Sequence, residues 1–445
     1  MVRNPSLIPS IKTLESGEIG RRRKMSYEMI EGCWKSCIEN DFIADAIIAN
    51  PPSFAHVHCA ERLCIPVWIV FTMPWSPTMS FPHPLANIQS SNAEPRVTNY
   101  LSYILVEALT WQGLGDLVNR FRRRMLGLDE VAFTMGICLP STLKVPHTYT
   151  WSPALIPKPL NWGDEIDISG FFFHSQPSYK PDASLTAFLD AGPPPIYIGF
   201  GSIVVDDPTT LTQKLLTTVS NLKIRALISK GWGGLDAKNI PENIYFLGNC
   251  PHDWLFPRVS AVVHHGGAGT TAIGLKCGKP TVVVSFFGDQ KFWGEMVARA
   301  GAGPNPIPFK ELTVQNLEEG IKVALSEKAQ SAAKQMSARI DKEEGVEHAV
   351  DGFHRLLPLK RMRCSILPER VAVWTIPDTT FRISNLAAGV LDKERKLKLK
   401  DLVLTRHKLY DTENQQVPLP PPRKLTSSGT PSPDPSPRPS VQAST

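Results

Sequence analysis

The segment Val262-Val-His-His-Gly-Gly-Ala-Gly-Thr-Thr271 concentrates groups that suit an anion. Three glycines within four residues let the backbone approach a ligand closely. The following threonine hydroxyls and the free N–H groups of a helix start favour a phosphate. His265, just before the turn, can donate a hydrogen bond or a positive charge to it. The segment is not a Walker loop, since no Gly-Lys-Ser/Thr closes it, and it lacks a GxGxxG pattern. A second segment, Pro280-Thr-Val-Val-Val-Ser-Phe-Phe-Gly-Asp-Gln290, is a strand that ends in a glycine and an acid–amide pair. Asp289 can accept from adjacent sugar hydroxyls, and Gln290 can both donate and accept. Asp289 alone also reads as a helix N-cap.

Both segments need a strand to carry them to one edge of a sheet, and the surrounding pattern provides it. Strands are expected at 196–200, 224–228, 244–247, 260–264 and 281–285. Helices near 208–220, 269–276 and 290–300 separate them. Short apolar strands alternating with helices imply a parallel, doubly wound α/β sheet, in which ligands bind at the carboxyl ends of the strands. The amino-terminal half repeats the theme. Helix is expected over 19–40 and 54–63, and strand over 44–49 and 66–71. An apolar helical region spans 97–124, interrupted at Gly113 and Gly115, and short strands follow at 148–152 and 166–172. The stretch 97–118, with Trp111, reads either as the lining of an apolar ligand pocket or as a core helix. The expected domains are 1–190, 191–357, a basic extension over 358–410 read as helical, and a tail over 411–445.

Composition sets the outer limits. The chain has 445 residues, 42% hydrophobic and 20% charged, enough to bury cores. Of its 40 prolines, nine fall between Pro418 and Pro439. That Pro/Ser/Thr-rich tail cannot offset its chain entropy and is expected to be disordered. No Gly-X-Y period allows collagen, and no uninterrupted run of about 18 apolar residues suggests a transmembrane helix. The net charge of +6 is too small to argue for nucleic acid. The basic clusters at 21–24, 122–124, 355–370 and 393–400 read either as solvated faces or as contacts with an anionic membrane. Met1 to Ser6 has no apolar signal region, so the 8 scattered cysteines are expected as reduced thiols of a cytoplasmic protein.

The motifs together resemble the donor domain of family 1 glycosyltransferases of the GT-B fold, over residues 196–305. His264-His-Gly-Gly-Ala-Gly-Thr-Thr271 and Phe286-Phe-Gly-Asp-Gln290 resemble in particular the UDP-glucose: sterol 3-beta-glucosyltransferases of fungi and plants. Gly199-Phe-Gly-Ser202, Ser229-Lys-Gly-Trp-Gly-Gly234 and Cys250-Pro-His-Asp-Trp254 agree with that family. So do Ala44-Asp-Ala-Ile-Ile48, Phe71-Thr-Met-Pro-Trp75 and Phe81-Pro-His83. The resemblance implies two Rossmann-like domains and inverting transfer of a hexose from a UDP-sugar to a lipid hydroxyl, without a metal cofactor. It implies that His265, Gly267, Ala268, Gly269 and Thr270 hold the diphosphate. Asp289 and Gln290 would hold glucose hydroxyls, Ser202 would approach the phosphates, and His252 with Asp253 would meet the uracil.

One part of the family pattern is missing. The family opens with a strand and a Gly-Ser/Thr-Arg-Gly-Asp-Val-Gln-Pro type loop that supplies the acidic candidate base. Here Asn4-Pro-Ser-Leu-Ile-Pro9 already corresponds to a segment inside that domain. The expectation is an acceptor-side domain that lacks its first portion and exposes apolar surface. His83 is then the candidate base, with His56 and His58 behind it.

Overall fold

The computed structural model describes residues 17–39, 42–86, 88, 92–174, 179–231, 233–235, 240–357 and 359–404. Asn4 to Pro9 and the tail over 411–445 lie outside the described residues. The described residues form two compact units. One takes 70–106 and 147–355; the other takes 17–69, 107–146 and 356–404.

Helix α1 (Glu18–Ile38) buries Ile30, Trp34 and Cys37, spaced to fall on one face. Strand β1 (Ile47–Ala49) ends at Pro51, which starts a single 3₁₀ turn. Helix α2 (His56–Leu63) and strand β2 (Val67–Phe71) follow, as the apolar pattern requires. Helix α3 (Pro95–Phe121) then runs without a break through Gly113 and Gly115 and passes into a π-helical turn over Arg122–Leu126. The expected interruption is therefore absent, and at Gly115 the choice of glycine has a steric reason. A Cβ on Gly115 would stand 2.9 Å from the Trp111 ring, and one on Gly136 would overlap the same ring. The glycines make room for the indole, which packs against the core of Ile30, Trp34 and Phe121. Trp111 thus belongs to a core and not to a ligand pocket. Strands β3 (His147–Tyr149) and β4 (Ile166–Ile168) complete a four-stranded sheet in the order β1-β2-β3-β4. Ile48 on its edge strand β1 is 61% exposed.

Helix α4 (Ala183–Asp190) leads into a second sheet. Its elements are β5 (Ile196–Gly199), α5 (Pro208–Leu222), β6 (Ala226–Ser229), β7 (Ile244–Leu247) and α6 (His252–Leu255). Next come β8 (Val262–His264), α7 (Ala268–Lys276), β9 (Thr281–Ser285), α8 (Gln290–Arg299) and β10 (Ile307–Pro308). The order is β10-β9-β8-β5-β6-β7, and every pairing is parallel. Strand β10 has no counterpart in the expected pattern. It is two residues long, preceded by Pro306 and ending in Pro308, and proline is tolerated only at such an edge. Ile198, Ile228 and Val263 pack on one face, while Tyr197, Leu227 and Val262 pack on the other. Burial on both faces makes these strands uniformly apolar. Helices α9 (Val314–Leu325), α10 (Glu327–Ile340) and α11 (Gly345–Leu356) finish this unit's run of helices.

The basic extension is not simply helical. Strands β11 (Trp374–Thr375), β12 (Arg382–Ile383) and β13 (Val403–Leu404) form an antiparallel sheet in the order β12-β11-β13. Helix α12 (Asn385–Lys393) lies between the last two in sequence. The segments around Trp374 and Ile383 are too short and too alternating for a helix, and Asp378, with φ of 59°, turns the chain between them.

One buried ionic knot holds the smaller unit. Arg122 donates from Nη1 to Glu61 Oε2 at 2.6 Å and from Nη2 to Glu61 Oε1 at 3.2 Å. Its Nε donates to the Asp129 carbonyl, and Nη1 lies 2.9 Å from His58 Nδ1. Burial, with Arg122 adding to it, holds the His58 imidazole well below the usual histidine range, so it accepts from the guanidinium as a neutral ring. Replacing Arg122 by Leu leaves Glu61 charged and half-stranded, which costs about 3–5 kcal/mol. A thermal melt is expected to show a clear loss for Arg122→Leu and a smaller one for Glu61→Gln.

Candidate functional site

The carboxyl ends of β5, β6, β8 and β9 leave the sheet on one edge, and four turns converge there. Gly201 follows β5 with φ of 60°, and a Cβ on it would stand 3.3 Å from His265 Cε1. A Cβ on Gly231, after β6, would stand 2.8 Å from the Gly201 carbonyl oxygen. Gly266, at φ 86°, comes so close to the β9–α8 turn that a Cβ would lie 2.7 Å from the Gln290 carbonyl. Only glycine combines that left-handed backbone with that proximity. Ser202 is exposed on the β5 turn. The expected residues Ser202, His265, Gly267, Ala268, Gly269, Thr270, Asp289 and Gln290 are therefore gathered from three turns.

His264 and His265 differ in kind. His264 is fully buried, and its Nδ1 accepts the Gly266 N–H at 2.9 Å, which braces the turn. His265 is half-buried and lies over Gly267, where an added Cβ would meet Nε2 at 2.6 Å. Its Nδ1 has no hydrogen-bond partner. Burial lowers its pKa below the usual histidine value. Helix α7 begins immediately after, with Gly267 as N-cap and no side chain capping it. The first-turn N–H groups of Ala268, Gly269 and Thr270 thus have no intrahelical acceptors.

Across the turn, Asp289 Oδ2 accepts from Trp293 Nε1 at 2.8 Å, one helical turn further along α8. Gln290 Oε1 accepts from the N–H groups of Phe286 and Phe287, at 2.7 and 3.1 Å. Its carbonyl oxygen thus shapes the loop, which leaves the amide nitrogen as its donor end. On the third side, His252 stacks on Phe256 with centroids 4.6 Å apart, and its Nε2 lies 3.2 Å from the Tyr197 hydroxyl. Burial lowers the His252 pKa, and His265 adds to the effect. Asp253 Oδ1 accepts the N–H of Trp254 at 2.9 Å. Tyr197 and Trp293 were not among the expected site residues. The Asp289-x3-Trp293 spacing was a legible signal for one of them; nothing in the sequence pointed to the other.

Residues 214–347 match a family model described as "Erythromycin biosynthesis protein CIII-like, C-terminal domain". A sterol 3-beta-glucosyltransferase of Arabidopsis thaliana is 44% identical over 367 residues, covering 80% of this chain and 58% of the relative. A second from the same plant is 44% identical over 373 residues, covering 82% and 57%. Over four fifths of its length the chain is similar to sterol 3-beta-glucosyltransferases. It spans a little over half the length of these curated relatives. Among solved structures, the glycotransferase of kitacinnamycin aligns with a TM-score of 0.56 at 15% identity, covering 80% of this chain and 86% of that one. At that identity the likeness shows the fold alone, and the fold is GT-B.

The remaining candidates lie elsewhere in the chain. His83 is 1% exposed and enclosed by Trp75 and Tyr103, with ring centroids 4.9 and 5.0 Å away. Its Nδ1 accepts the Leu85 N–H, and burial brings its pKa down to about 3. It is a neutral ring at physiological pH and a weak proton acceptor. His56 and His58 sit on α2; His56 Nδ1 lies 2.8 Å from Ser53 Oγ, and His58 belongs to the Arg122 knot. On α3, Val97, Tyr100, Leu101, Ile104 and Leu105 share an outer face and are 38% to 55% exposed.

The Asp289 carboxyl is pushed up in pKa, chiefly by burial, with the Trp293 hydrogen bond opposing. The folded state therefore holds its proton more tightly than the unfolded chain does. Stability from this group is fully present below the ordinary carboxylate pKa of about 4 and is lost as pH rises through the raised value. Asp289→Asn keeps an acceptor for Trp293 and removes the buried charge. Its melting temperature is expected above wild type at neutral pH, with the gain vanishing below about pH 4.

Proposed function

We propose that the chain transfers glucose from UDP-glucose to the hydroxyl of a sterol, with inversion at the anomeric carbon and without a metal ion. The observation that carries this reading is the uncapped start of α7 beside the unpartnered Nδ1 of His265. A helix start with free N–H groups and an adjacent imidazole suits a diphosphate. In the proposed reaction the acceptor oxygen attacks the anomeric carbon while its bond to the diphosphate oxygen breaks. The charge that develops on UDP meets the α7 N–H dipoles and His265, and the hydroxyl proton passes to a base. Because the chain's own donors stabilise the leaving group, the step needs no cation. Asp289 and the amide nitrogen of Gln290 orient the sugar. Ser202 lies toward the phosphates, and His252 with Asp253 toward the uracil. The exposed aliphatic face of α3 suits a hydrophobic acceptor, and the names of the Arabidopsis relatives point to a sterol.

Calorimetric titration with UDP-glucose tests the donor site. His265→Ala is expected to weaken binding about 10- to 100-fold, the worth of one charge-assisted hydrogen bond; unchanged affinity would remove His265 from the site. Labelled UDP-glucose offered with ergosterol, a plant sterol and a polyketide aglycone tests the acceptor. Product on the sterols alone supports the proposal, whereas product on the aglycone alone makes this a natural-product glycosyltransferase. Tight binding without transfer to any acceptor makes it a nucleotide-sugar-binding protein.

A further inference from the structure

Residues 359–404 lie beyond the segment that the family model matches. They nevertheless form a folded module with its own core of Cys364, Ile383, Ala387, Ala388 and Leu402. Helix α12 turns Ala387 and Ala388 into that core, and its N-cap Ser384 accepts the Ala387 N–H. The outer face is unusual. Leu386, Val390 and Lys393 follow one another at successive turns, and Leu386 and Val390 are 48% and 52% exposed. Beyond α12 the chain turns back at Arg395, whose φ is 57°, and the Leu399 N–H donates to Asp392 Oδ1 at 3.1 Å. That turn displays Lys393, Arg395, Lys396, Lys398 and Lys400, all exposed, against two exposed acids, Glu394 and Asp401. Leu399, 46% exposed, sits among the cations.

Solvation accounts for the lysines but not for aliphatic side chains held outward on the same helix face. A nucleic acid would use the cations and leave Leu386 and Val390 without a role. A stable protein interface buries about 800 Å² per partner, far more than three aliphatic side chains present. An anionic bilayer uses both features: aliphatic side chains enter the headgroup boundary, and clustered cations meet the lipid phosphates and carboxylates. We propose that α12 and the turn after it dock this chain on the surface of an anionic lipid bilayer. Among the described residues no helix is long and apolar enough to cross one, so the contact is a surface contact.

Flotation of the full chain with vesicles tests this independently of any transferase activity. The chain is expected to float with phosphatidylcholine vesicles that contain phosphatidylserine, and to be released as salt is raised. The combined Lys396→Gln, Lys398→Gln and Lys400→Gln variant should lose about fivefold in partitioning per lysine, on the order of a hundredfold in all. Leu386→Ser with Val390→Ser should also weaken flotation, and both variants should melt like wild type because every substituted side chain is exposed. Wild-type protein that stays at the bottom with phosphatidylserine vesicles overturns the proposal. So does equal flotation of the wild type and the triple variant. Lipid-free RNA binding that ignores the Leu386 and Val390 substitutions would assign the cations to nucleic acid and overturn it as well.

Discussion

Parallel pairing is the constraint on which the candidate site depends. A parallel strand must be followed by a crossover, so successive strands all deliver their carboxyl ends to the same edge. In the six-stranded sheet, β5, β6, β8 and β9 each release a loop there. Residues far apart in sequence, such as Ser202, His265 and Gln290, become neighbours for that reason alone. An antiparallel arrangement would have sent half of those loops to the opposite edge.

Convergence of this kind crowds backbone against backbone, and the crowding sets residue types. Gly201, Gly231 and Gly266 stand where a methyl group would press on His265, a carbonyl or the next turn. Burial at the same edge moves proton affinities in one direction, toward uncharged forms: His252, His264 and His265 are lowered, and Asp289 is raised. A diphosphate brought to this edge would meet oriented dipoles and neutral donors, which cost little to reorganise when charge moves onto the leaving group.

The smaller unit follows a different logic. Its interior is fastened by one guanidinium shared among a carboxylate, an imidazole and a carbonyl, with an indole seated between two glycines. These arrangements explain why residues that look chemically able in isolation, such as His58 and Trp111, serve packing. The module over 359–404 is held by a small core around Ile383 and Leu402 and holds aliphatic and cationic side chains outward.

The motifs after β8 and β9, the parallel α/β class and the position of most strands were legible in the sequence, because they depend on local rules. Apolar runs bounded by glycine and proline mark buried strands, and glycine clusters mark turns that a side chain would block. What escaped depended on partners distant in sequence. Gly115 on α3 reads as a break until Trp111 is seen packed against it and against Gly136. The strands around Trp374 and Ile383 are stable only because they pair with one another. The role of Gln290 was half visible: an amide can both donate and accept, but only the folded loop commits its oxygen to Phe286 and Phe287. His83 reads as an open imidazole beside prolines, and only packing against Trp75 and Tyr103 makes it a neutral, buried ring. The sequence by itself determined which groups exist and how the chain turns locally. The tertiary structure alone decided which of them keep a free atom, since burial and hydrogen bonding are properties of neighbours that folding brings together.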